Sequence, residues 1–242
     1  MLKLITILSL SFLLALNAEA GCLKPFVFFD LGETLVDTDT NKYKPMFYYK
    51  LDANKYRDAG EYPTAKNYVD RLVSLGHELG IIADIPGAWG VNYPANNPVR
   101  DLPTAKILRT MDFLAGLIPE DEASWTGEAF DWSPFVKITG EGPNRLAQGL
   151  VILPQTNEER KKNGSLVVFQ RALEIAKHAG CAALFQGESE KEMILAEKAG
   201  MIPYWVGHTI SGQFFLPAEQ TKNYVDSYRT GDWHGKRSVS LD

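Results

Sequence analysis

The sequence predicts an α/β protein, a Rossmann-like three-layer α/β/α sandwich around a mainly parallel sheet. Two observations carry that prediction. Short apolar runs of strand length alternate with amphipathic helical segments over most of the chain, the pattern of a sheet covered on both faces. Three of those runs end on an acid, Asp30, Asp84 and Glu188, and in such folds the ligand crevice lies at the carboxyl ends of the strands. With 242 residues, 45% apolar and 11% aromatic, the chain is large enough for one sizeable core, so a single domain is expected.

The first twenty residues are set apart from the fold. Lys3 supplies a positive charge, Leu4 to Leu16 is apolar apart from Thr6, Ser9 and Ser11, and Ala18-Glu19-Ala20 offers small residues where a signal peptidase reads. Residues 1–20 are therefore expected to be a signal peptide and 21–242 an exported domain, periplasmic or secreted. The apolar run is short for a membrane span and no later segment qualifies. A net charge of −5 provides no basic excess to neutralise phosphates, which argues against nucleic-acid binding. Cys22 and Cys181 both remain in the mature chain, in a compartment that permits disulfides. Ala20-Gly21-Cys22 also resembles the end of a bacterial lipobox, and a lipid on Cys22 is the second reading.

From the N-terminus, FVFF at 26–29 reads as a buried strand that delivers Asp30 into a Gly-containing turn. Residues 39–63 are polar and aromatic, a loop with a short helix. TAKNYVDRLVSLG follows with apolar residues at helical spacing and Gly76 near its stop. LGIIADIPG reads as a short strand and a turn, and 86–100, rich in Gly, Pro and Asn, as loop. Asp101 is placed to cap a helix over 101–119 with Pro103 in its first turn. EAFDWSPFVKI and GLVILP read as strands joined by a Gly-rich link. SLVVFQRALEIAKHAG is a helix ending at Gly180, CAALFQG a strand, SEKEMILAEKAG a helix and MIPYWVG a strand. AEQTKNYVDSYR forms a last helix. A small insertion is expected between about 86 and 150.

Four segments in this order resemble the motifs of the haloacid dehalogenase (HAD) superfamily, most of whose members are Mg-dependent phosphatases. The resemblance covers most of the mature chain. In FFDLGETL, Asp30 matches the nucleophile that forms an aspartyl-phosphate, and Thr34 matches the motif's threonine. Gly32 stands where phosphatases place a second Asp, the general acid, while keeping the backbone carbonyl that serves the family as a metal ligand. Glu33 takes over that acid's role only if the turn re-aims it. In GIIADIPG the phosphate-binding hydroxyl is replaced by Ala83, followed by Asp84. Beside its place in the phosphate-binding turn, Asp84 also reads as a turn-former before Pro86. The motif's lysine is matched by Lys162 in ERKKNGSLVVF, with Lys161 as the alternate. In ALFQGESEKEM, Glu188 and Glu192 replace the family's metal-binding aspartates. The resemblance thus implies Asp30 and Lys162 as catalytic residues, Thr34, Ala83 and Asp84 around the phosphate, and Mg²⁺ or another divalent cation on Asp30, Gly32, Glu188 and Glu192.

In this superfamily the strands bearing the first and fourth motifs run parallel as neighbours. Cys22 lies eight residues before Asp30 and Cys181 seven before Glu188. The resemblance therefore implies a Cys22–Cys181 disulfide at the opposite edge of the sheet. It leaves no length for a large cap, which would suit a phosphorylated small molecule or an exposed phosphate on a larger one. Trp89, Trp125 and Trp132 fall in the insertion, and core packing is the expectation for them. Two other functions remain: a catalytically impaired HAD-fold binding module, favoured by Gly32, Ala83 and the glutamates, and a metal-independent dehalogenase. The chain contains no G-x-S-x-G elbow, and His77, His178, His208 and His234 lack zinc spacing.

Overall fold

The computed structural model describes residues 22–36, 49, 62, 64–84, 130–140, 146–207 and 214–231. The expected signal peptide, the 39–63 loop apart from residues 49 and 62, the 86–100 loop, the 101–119 helix, Trp89, Trp125, His208 and His234 lie outside the described residues. So does most of the expected insertion.

A five-stranded parallel sheet organises the chain. It runs in the order β5-β2-β1-β6-β7, from β1 (Phe26–Phe29), β2 (Leu79–Ile82), β5 (Val151–Ile152), β6 (Ala183–Gly187) and β7 (Ile202–Trp205). A separate antiparallel hairpin joins β3 (Val136–Thr139) to β4 (Leu146–Gly149). Four helices are described: α1 (Ala65–Ser74), α2 (Val167–His178), α3 (Glu190–Ala199) and α4 (Thr221–Thr230). The α/β expectation is met, and so are the helices and strands read between 64 and 84 and between 165 and 207.

The layers follow from alternation along the strands. Val27 and Phe29 face one core with Tyr68, Val69 and Leu72 of α1 and Val225 of α4. Phe26 and Phe28 face the other, with Phe169 and Ala172 of α2 and Met193 and Ala196 of α3. In α1, Ala65, Tyr68, Val69 and Leu72 are buried at positions i, i+3, i+4 and i+7. The helix starts where the Thr64 hydroxyl accepts from the Asn67 amide at 3.2 Å. Each large apolar side chain buried in this way stabilises the fold by roughly 1.5–3 kcal/mol.

Gly80 is required by that packing. It pairs with Phe28 across the sheet, and a Cβ there would lie 2.5 Å from the Phe28 ring.

The sequence missed one element. The link expected between 140 and 149 contains β4, and of the expected 128–138 strand only residues 136–138, extended by Thr139, pair with it. A Cβ on Gly149 would come within 2.2 Å of the Phe135 carbonyl, so the glycine read as a link residue permits a close backbone crossing. Trp132 is buried as expected, edge-on to Phe130 at 5.1 Å.

Topology then places the crevice. The chain leaves β1 to form β2 on one side, and β6 pairs with β1 on the other. Such a reversal opens a cleft at the carboxyl ends of the two strands. Asp30 follows β1, its amide donating to the Gln186 carbonyl at 3.0 Å, and Glu188 follows β6.

Candidate functional site

Asp30 and Thr34 are both buried at the end of β1, 8% and 0% exposed. The turn between them contains Gly32 and Glu33, and the Glu33 amide donates to the Val36 carbonyl at 2.8 Å. Glu33 has a left-handed backbone, φ 55°, a conformation that costs a non-glycine residue about 1–2 kcal/mol. Strain of this kind gathers at functional turns.

The lysine at Asp30 is Lys161, 1% exposed. Its Nζ donates to Asp30 Oδ1 at 2.5 Å and to Glu192 Oε2 at 2.8 Å. The expectation for Lys162 is thereby corrected: its side chain is exposed, and the alternate, Lys161, points inward. The two lysines open a 3-10 turn, Lys161–Asn163, in which neighbouring side chains diverge by about 120°.

Across the cleft, the Thr34 hydroxyl donates to Glu188 Oε2 at 2.6 Å. Trp205 Nε1 donates to the Glu188 carbonyl at 2.7 Å and fixes the backbone that carries the acid. Sequence reasoning missed this contact, whose signal is the tryptophan ending the adjacent strand.

Ala83 and Asp84 are both tied to neighbouring backbone. The Ala83 amide is committed to the Ile152 carbonyl at 3.2 Å, and its methyl group cannot donate. Asp84 accepts from the backbone amides of Lys161 and Lys162, at 3.0 and 2.9 Å. Its carboxylate serves the lysine turn.

The electrostatics follow from burial and crowding. Three carboxylates, Asp30, Glu188 and Glu192, face the one ammonium of Lys161. Burial and then the Asp30 charge raise Glu188 to about 7, against the Thr34 hydrogen bond. Burial, again followed by Asp30, raises Glu192 to about 8, although Lys161 pulls the other way. Burial alone would lower the Lys161 ammonium, but Asp30 and Glu192 outweigh it and hold it above its ordinary value. Replacing a buried charge network by apolar residues is often neutral or stabilising, so stability alone is a weak reason to keep this one.

Neither a protein-family model nor a curated protein matches the chain. The fold does not by itself name an activity, and the function has to be argued from the site.

A hard divalent cation fits the chemistry of this donor set. Its side-chain ligands are all oxygens, and the carboxylates exceed the ammonium in charge. Among the described residues no three His, Cys, Asp or Glu side chains converge into a cage. Mg²⁺ ordinarily keeps several waters and takes only one or two carboxylates from a protein.

At the far edge of the sheet, Cys22 and Cys181 form a disulfide, with Cα atoms 4.7 Å apart. The bond leaves no sulfur on Cys22 for a lipid, and it fits an oxidising compartment. No helix among the described residues is long and apolar enough to cross a membrane.

Proposed function

We propose that the chain is an exported phosphatase of the haloacid dehalogenase type, dependent on a divalent cation and acting through an aspartyl-phosphate on Asp30. The observation that carries this reading is the buried Lys161 ammonium bridging Asp30 and Glu192 at the carboxyl end of a parallel sheet. Buried ionised groups in a cleft, with shifted titration, are features of a working site.

In the proposed reaction, an Asp30 carboxylate oxygen attacks phosphorus and the bond to the leaving oxygen breaks. Lys161 holds the other carboxylate oxygen and offsets the charge of the transferring group. The leaving oxygen departs as an anion and takes its proton from water, because Gly32 has no side chain to donate one. Water then attacks the phosphorus of the aspartyl-phosphate, releasing inorganic phosphate and restoring Asp30. Asp30, Glu188, Glu192 and the Gly32 carbonyl would hold the cation, with Thr34 orienting Glu188 and Glu192 also accepting from Lys161. A bound cation would neutralise charge on the phosphoryl oxygens. The substrates in view are phosphorylated small molecules or phosphates exposed on larger ones.

A second reading, a binding module without turnover, is favoured by the Ala83 amide being spent on Ile152 and by the Ala83 methyl group, which cannot donate. The two are separated by assaying an aryl phosphate with Mg²⁺ or Mn²⁺, beside Asp30→Asn. Metal-dependent turnover that Asp30→Asn abolishes is the expected result. If turnover is absent and beryllofluoride forms no adduct at Asp30, the enzyme reading falls and the binding module stands.

A further inference from the structure

We propose that Asp84 is a positioning residue that decides which of two adjacent lysines enters the site. Its importance for catalysis rests on the phosphatase reading, but the geometry does not.

The Lys161–Asn163 turn begins with amides that have no partner inside the turn, as at any helix start. The residue before it, Arg160, offers no side-chain cap. Asp84, at the end of β2, provides the cap from 77 residues away, one oxygen on each amide. Hydrogen bonds to an ionised acceptor are the stronger kind. Arg160 adds charge to the arrangement, its buried Nε lying 3.8 Å from Asp84 Oδ2.

The turn is held on both flanks as well. Arg171 forms a two-pronged pair with Glu159 at 2.9 and 2.7 Å, and Glu159 also accepts from the Gln155 amide at 2.7 Å. On the other side Lys191 Nζ donates to the Lys162 carbonyl at 2.6 Å. These contacts fix where the loop lies, but the paired amide bonds to Asp84 fix its register. A slip of one residue would rotate the side chains by about 120°, withdrawing Lys161 from Asp30 and turning Lys162 toward it. Two consecutive lysines make that slip chemically silent to composition and decisive for geometry.

The test is native-state acetylation of the full chain with acetic anhydride, read by peptide mass spectrometry at Lys161 and Lys162. In the wild type Lys162 should label and Lys161 should be protected. Asp84→Ala should raise the Lys161-to-Lys162 labelling ratio by about tenfold or more, since two hydrogen bonds to a charged acceptor are lost. Asp84→Asn, which keeps one acceptor oxygen, should fall between. A purely structural role would lower the unfolding midpoint without moving this ratio. An unchanged ratio in folded Asp84→Ala overturns the proposal. If Asp84→Ala does not fold, an unchanged ratio in Asp84→Asn overturns it equally. Where the wild type turns over an aryl phosphate, Asp84→Ala should lower kcat and add no further loss on a Lys161→Ala background. A wild type without turnover defeats the phosphatase reading and leaves the labelling result to decide the role of Asp84.

Discussion

Gly32 bears most directly on chemistry at the scale of single residues. A general acid contributes about 10²–10⁴-fold to rate, and the chain has none at this position. Turnover should then depend steeply on how well the leaving group departs unaided. An aryl phosphate whose phenolate is stable should be hydrolysed far faster than an alkyl phosphate. Gly32 is not among the described glycines with positive φ, so its φ does not bar a side chain. Gly32→Asp should raise kcat on an alkyl phosphate by about 10²-fold or more, with a much smaller change on nitrophenyl phosphate. Equal changes on both substrates would show that protonation of the leaving group is not what the site lacks. The sequence made Asp30, Thr34, Glu188 and Glu192 legible because each follows a recognisable strand or turn. It did not separate Lys161 from Lys162, because neighbours of one chemistry differ only in the direction their backbone gives them. Nor did it find the role of Asp84, whose partners lie in a distant turn, while Asp before Ile85-Pro86 reads locally as a turn-former.

At the scale of elements, helical and strand periods were readable wherever packing is one-sided or fully buried, as in α1 and β6. The β3–β4 hairpin was harder, because Leu-Ala-Gln-Gly lacks β-branched residues and its strand character comes from pairing. His77 shows how elements are then tied together. It lies in the turn after α1, with Nδ1 3.1 Å from the Pro25 carbonyl and Nε2 3.2 Å from the Thr221 hydroxyl of α4. The carbonyl can only accept, so Nδ1 carries the proton of the neutral ring. Burial, with the nearby Lys24 charge, lowers His77 below its ordinary 6.5, against the pull of the Pro25 hydrogen bond. At this position the unfolded chain therefore binds a proton that the folded chain refuses, so the His77 contribution to stability falls as pH drops below 6.5, against the opposite contribution of the raised Glu188 and Glu192. Urea unfolding between about pH 7.5 and 5.5 should therefore show His77→Gln gaining stability relative to the wild type as pH falls. Equal pH slopes in the two proteins would remove His77 from the account.

For the whole molecule, the parallel sheet separates chemistry from covalent anchoring. Asp30 and Glu188 stand at the carboxyl ends of β1 and β6, and the Cys22–Cys181 bond closes the amino-terminal edge of the same two strands. The cysteines are 159 residues apart in sequence, so the bond restricts a long loop of the unfolded chain. In the chain-entropy account a loop of that length contributes about 5 kcal/mol, and measured losses for native disulfides run about 2–5 kcal/mol. The paired strands β1 and β6 are held by their own ladder and by both cores, so the site's geometry does not depend on the bond once the chain is folded. Cys22→Ser combined with Cys181→Ser should therefore lower the urea midpoint substantially, by about 2–5 kcal/mol of stability. Beryllofluoride binding at Asp30, measured well below that midpoint, should be unaffected. A variant as stable as the wild type would mean that the sheet closes its edge without covalent help. A variant that is stable but loses the Asp30 adduct would mean instead that the two ends of the sheet are mechanically coupled.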